Sequence, residues 1–82
     1  MTWWYLSFAD DDGFLGGVYV EAESFLEAVT QADVHGANPG GEVLGAGPLP
    51  CGPSPERAHR LLRTKAEVDL AADELVARAG EA

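Results

Sequence analysis

Residues 2–21 read TWWYLSFADDDGFLGGVYVE, and the fold turns on how this stretch is parsed. Thr2–Ala9 is rich in aromatics, and a pleat separates Trp4, Leu6 and Phe8 from Trp3, Tyr5 and Ser7. Asp10-Asp11-Asp12-Gly13 has turn chemistry, with Gly13 free to take a positive φ. Phe14–Glu21 (FLGGVYVE) is the second strand, with Val18 and Val20 on one face and Tyr19 and Glu21 on the other. Gly16 and Gly17 weaken it on propensity, which marks a bulge or a place where another backbone or a ligand comes close. The two strands form an antiparallel hairpin with two apolar faces to cover.

Ser24-x-x-Glu27 then has the pattern of a capping box, which satisfies two orphan N–H groups at a helix start. Phe25, Ala28, Val29 and Ala32 fall at i, i+3, i+4 and i+7, one stripe toward the sheet. Gly36 suits the position after the helix. Asn38-Pro39-Gly40-Gly41 places Pro and Gly where a type II turn needs them. Glu42–Ala46 (EVLGA) is a short third strand. Gly47–Pro55 holds four of the five prolines; it is excluded from a central strand or a helix interior and reads as a surface crossover. Ser54-Pro55 suits the start of a helical turn reaching His59, and Leu61 and Leu62 anchor the return. Thr64-x-x-Glu67 is a second capping box. Val68, Ala71, Ala72, Leu75 and Ala79 trace an apolar stripe that ends at Gly80. The predicted fold is α+β: one domain, a three-stranded ββαβ sheet with one packed helix, a crossover over 47–55, and a C-terminal helical segment over 56–80. Edges of so small a sheet predict a homo-oligomer.

Eighty-two residues carry a formal charge of −9. Residues 1–56 hold nine acids and no Lys or Arg; Arg57, Arg60, Arg63 and Lys65 then fall within nine residues that hold no acid. The acidic balance argues against wrapping duplex nucleic acid, which needs a basic stripe, and the 46% apolar content argues against a disordered tail. No run approaches the ~20 apolar residues of a membrane span. Met1 is followed by no basic leader pattern, which predicts a cytoplasmic protein. The single Cys51 rules out an internal disulfide framework.

No catalytic residue, metal or cofactor is predicted. Asp10, Asp12 and Glu21 superficially suggest a calcium loop, but Leu15 stands where that loop needs Gly and Phe14 where it needs an oxygen ligand. His35, His59 and Cys51 lack metal-ligand spacing. His35 is explained by its place near a helix C-terminus. Two features carry alternative readings. The basic segment either neutralises the acidic body or forms an anion site, since Arg matches phosphate. Asn38-Pro39-Gly40-Gly41 is either a plain helix-to-strand turn or a concavity of backbone N–H donors. If the two converge, Asn38, Gly40, Gly41, Arg57, Arg60, Arg63 and Lys65 form a site for a small anionic ligand such as a nucleotide. Trp3, Trp4, Tyr5 and Tyr19 are candidate interface residues, because the pleat sends the two tryptophans to opposite faces.

Gly13-Phe14-Leu15-Gly16, Val20-Glu21-Ala22 and Asn38-Pro39-Gly40-Gly41-Glu42-Val43 resemble segments of small uncharacterised proteins of bacteriophage and prophage genomes, especially of actinobacteria. The likeness spans about residues 3–70 and brings no catalytic residues with it. It implies a compact phage accessory protein, acting on host defence by sequestering a nucleotide signal or by blocking a defence protein. The sequence therefore predicts a non-catalytic binding module for a small anionic ligand. The alternatives are an acidic inhibitor that covers a basic surface on a host protein, and an assembly protein.

Overall fold

A computed structural model describes residues 2–80. Strand β1 (Thr2–Asp10) and strand β2 (Gly13–Ala22) form the predicted hairpin, followed by helix α1 (Phe25–Val34), strand β3 (Glu42–Leu49) and helix α2 (Lys65–Gly80). The sheet is antiparallel, in the order β2-β1-β3. Sequence and structure agree on an α+β fold.

The hairpin closes as its residues require. The backbone N–H of Asp12 donates to the Asp10 carboxylate at 2.8 Å, an Asx turn that fixes the bend. A bulge lies between Phe8 and Ala9, where Phe8 pairs with Gly16 and Ala9 with Phe14. Each helix start shows one of the two backbone bonds of its expected capping box. Ser24 Oγ accepts from the Glu27 N–H at 3.2 Å, and Thr64 Oγ1 accepts from the Glu67 N–H at 3.2 Å. His35 is the C-cap of α1, and Gly36 follows with φ 69°.

The sheet separates two apolar clusters. Leu6, Phe8, Val18, Val20 and Ala22 are buried on one face with Ala28 and Ala32 of α1, and Trp4, Phe25, Val29 and Val43 pack around them. On the other face Tyr19, Leu62, Val68 and Ala71 are buried, with Trp3, Tyr5, Leu49 and Leu75 beside them. The helices thus cover opposite faces of the hairpin, giving a three-layer arrangement.

The third strand is longer than its sequence suggests. It runs to Leu49 rather than Ala46 and includes Pro48. Proline is tolerated because β3 is an edge strand, where a missing N–H costs no ladder bond. A second bulge sits between the pairs Tyr5–Ala46 and Trp3–Leu49 and takes up Gly47 and Pro48. The C-terminal segment also differs from its expected bounds: regular helix begins at Lys65, and residues 54–59 make only a turn, with the N–H groups of Arg57 and Ala58 both bonded to the Ser54 carbonyl.

The return segment closes the other edge. Gly17 and Leu62 exchange both backbone hydrogen bonds, at 2.9 and 2.7 Å, and the His59 N–H donates to the Tyr19 carbonyl at 2.8 Å. This is the close approach that the two glycines signal. A Cβ at Gly17 would come within 2.5 Å of the Tyr5 hydroxyl, so the backbone can lie there only without a side chain.

Candidate functional site

The bend after α1 is built as a turn. The N–H of Gly40 donates to the Asn38 side-chain oxygen at 2.9 Å, and Gly40 and Gly41 take φ values of 92° and 75°. Gly41 sits beside the Ala9 carbonyl and the Leu15 side chain. With Ala9, Asp10, Asp11 and Glu42 it lines a cleft of about 300 Å³ at the hairpin end of the sheet. The charged neighbours of the bend are therefore acids.

The cations lie elsewhere. Arg57 and Arg60 line a second cleft of about 210 Å³ with Glu56, Leu61, Leu62 and Glu67. The two clefts share no residue. Arg57 is ion-paired with Glu74 of α2 at 2.8 Å, and Ser54 donates to the same carboxylate from its hydroxyl at 3.2 Å. Arg60 donates to the Glu56 carbonyl at 3.1 Å, and Arg78 to the Pro53 carbonyl at 2.8 Å. Cys51 donates its thiol to the Leu75 carbonyl at 3.3 Å. The bonds of Cys51, Ser54 and Pro53 to Leu75, Glu74 and Arg78 clasp the proline-rich crossover to α2. Arg63 is exposed in the return segment and Lys65 is the exposed first residue of α2. Within one protomer, then, Asn38, Gly40 and Gly41 stand at one place, and Arg57 and Arg60 line a cleft at another.

The aromatic candidates pack inside the protomer. Tyr5 and Tyr19 stack at 4.8 Å between ring centres, and Tyr19 is only 6% exposed. Burial raises the hydroxyl pKa of both above the ordinary tyrosine value. Trp4 meets Phe25 edge-on at 6.4 Å and donates its indole N–H to the Ala22 carbonyl at 3.2 Å. Trp3 lies against Gly52 and the His59 ring.

Sequence reasoning missed two arrangements. Glu74 is the partner of Arg57, seventeen residues away, and only the acidic character of residues 66–82 hinted at it. The other is a histidine pair: His35 and His59 have ring centres 4.6 Å apart, and the Trp3 ring lies 5.4 Å from that of His59. His59 Nδ1 is buried without a hydrogen-bond partner. His59 also holds φ 59°, the left-handed region. Its pKa is lowered, mainly by burial and next by His35, with Glu21 working in the opposite direction. Among the described residues, no group of three His, Cys, Asp or Glu is placed to hold a metal ion, and no helix is long and apolar enough to cross a membrane.

The lowered pKa fixes a sign. The folded state binds a proton at His59 less readily than the unfolded chain does, so stability falls as pH drops below the ordinary histidine value of about 6.5. A series of thermal melts from about pH 8 to pH 5 is expected to show Tm declining over the acidic half. His59→Asn keeps a residue that tolerates positive φ and removes the titration, so its decline is expected to be shallower. Identical slopes in the two proteins would remove His59 as the cause.

Neither family models, nor curated proteins, nor solved structures include a match to this chain.

Proposed function

We propose that this chain is a non-catalytic binding module that engages a basic protein surface through the acidic end of its hairpin. The observation that carries the reading is the make-up of the cleft at that end: Asp10, Asp11 and Glu42 line it beside Gly41, and no cation does. A phosphate entering there meets like charge, whereas a lysine or arginine side chain meets its complement. The cleft, at about 300 Å³, lies at the lower limit of small-molecule pockets and suits one side chain better than a nucleotide. Complementary charge speeds encounter and makes it salt-sensitive. The likeness of the GFLG, VEA and NPGGEV segments to phage and prophage proteins supports a partner in host defence, met in the host cytoplasm.

A second reading, a small anionic ligand such as a nucleotide, draws on the cations. Among the described residues only Arg57 forms an ion pair, which leaves Arg60, Arg63 and Lys65 able to meet an anion. In this reading the Asn38 side-chain amide and the Gly41 N–H come from a neighbouring protomer of an oligomer, since the Gly40 N–H is already bonded within its own turn.

Calorimetry separates the two readings. The chain is titrated with an arginine-rich peptide and with cyclic nucleotides. The variant Asp10→Asn/Asp11→Asn/Glu42→Gln is compared with Glu23→Gln/Asp33→Asn/Asp73→Asn, which removes equal charge from exposed positions away from the cleft. The hairpin variant is expected to bind the peptide about ten-fold more weakly, a loss of about 1.4 kcal/mol, while the control keeps most of the affinity. Equal losses reduce the effect to net charge and sink the proposal. Heat with a nucleotide that Arg60→Ala abolishes replaces it with the ligand reading.

A further inference from the structure

The two edges of the sheet are treated differently by the chain. On β2 the return segment occupies Gly17 and Tyr19. On β3 no backbone group among the described residues pairs with the outer edge, and the helices lie mainly on β1 and β2, with the Phe25 side chain of α1 reaching over Gly45. The direction of each backbone group follows from the bonds already given. In an antiparallel ladder a residue's N–H and C=O point to the same side, and the side alternates along the strand. Gly17 and Tyr19 point away from β1, so Val18 and Val20 point toward it and bond Leu6 and Trp4, their partners in register. Tyr5 and Ser7 therefore face β3, where they meet Ala46 and Leu44. That leaves Val43 and Gly45 with their N–H and C=O groups turned outward.

We infer that β3 is a self-pairing edge, on which a second copy of this chain docks antiparallel about a two-fold axis at Gly45. The strand's own sequence argues for a second copy as the occupant. With Gly45 opposite Gly45, Leu44 of each copy faces Ala46 of the other, a large residue against a small one. Leu44 is 75% exposed in the single chain, and this pairing covers it. On the opposite face the Phe25 ring lies over Gly45, so the axis brings two Phe25 rings side by side. Charge agrees. Glu42 is the only charged residue of the strand, and antiparallel pairing sets the two copies of it at opposite ends, although each chain carries −9. The product is a continuous six-stranded sheet whose outer edges are each covered at Gly17 and Tyr19 by the return segment. Closed symmetry of this kind is the commonest route to a dimer.

Sedimentation equilibrium on the full chain tests it, with far-UV circular dichroism as the check on folding. The wild type is expected at twice its monomer mass of 8.6 kDa. Leu44→Asp adds a charge beside the axis at a side chain that is outside both apolar clusters, and it is expected to give a folded monomer. Ala46→Asp changes an exposed side chain that lies in neither cluster and faces Leu44 of the second copy, and it is expected to do the same should Leu44→Asp unfold. A wild-type monomer at all concentrations into the millimolar range overturns the inference. So does a dimer that both variants leave intact, which would place the contact elsewhere.

Discussion

Phe8→Ala is expected to remove a large share of the chain's stability. Phe8 is 1% exposed, is the largest fully buried side chain among the described residues, and belongs to the cluster under α1. Truncating a buried phenylalanine costs about 3–5 kcal/mol, the lost transfer energy plus the cavity. A domain of this length has on the order of 4–12 kcal/mol in total, at roughly 0.05–0.15 per residue. The substitution therefore removes a large share of the stability, and in the lower part of that range most of it. Urea unfolding followed by circular dichroism measures the change. Leu26→Ala is the control, since Leu26 is largely exposed on α1 and surface changes stay within about 0.5 kcal/mol. A Phe8→Ala loss no larger than the control's would mean that the cluster under α1 is not the core.

The second large effect is at Gly41, and it separates the turn reading of the bend from the donor reading. Alanine at Gly41 meets two penalties. The left-handed backbone costs about 1–2 kcal/mol for an L side chain. The added methyl also runs into the Ala9 carbonyl and the Leu15 side chain, and overpacking of that kind costs about 1–3 kcal/mol. Gly40 shares the backbone conformation but has open space where a Cβ would go. Gly40→Ala is therefore expected to lose only the first amount, and Gly41→Ala about 2–5 kcal/mol. Equal losses would show that the packing against β1 does not constrain the bend. The two glycines are required by the path of the chain before any ligand is considered.

Much of the fold was legible because its signals are local. A pleat with period two sorts Trp4, Leu6 and Phe8 from Trp3, Tyr5 and Ser7, and the capping boxes at Ser24 and Thr64 depend on residues three apart. Gly16-Gly17 was legible for the same reason, as a gap in side chains that something must fill. The end of β3 was not. Pro48 stops a strand only where the N–H it lacks would be bonded, and which side of β3 is bonded in the chain's own sheet follows from the order β2-β1-β3, a long-range fact. The candidate site was read less well still. The charge run 57–65 is plain in the sequence, but whether its arginines meet a ligand or Glu74 depends on where α2 lies. The same holds for His59, whose neighbours Trp3 and His35 come from both ends of the ββα segment.

The junction between Gly17 and Leu62 has a bearing on how the protein is made. During synthesis β2 leaves the ribosome some forty-five residues ahead of the segment that will cover it, and through that interval each nascent chain displays a raw, valine-rich border. Such borders invite coalescence between neighbouring polypeptides on one message. Every ionisable carboxyl in that emerging portion is uncompensated by lysine or arginine, so adjacent nascent chains repel one another. The late arrival of the basic residues thus coincides with the arrival of the strap itself, and the electrostatic shield is relaxed only when there is no longer a border to guard.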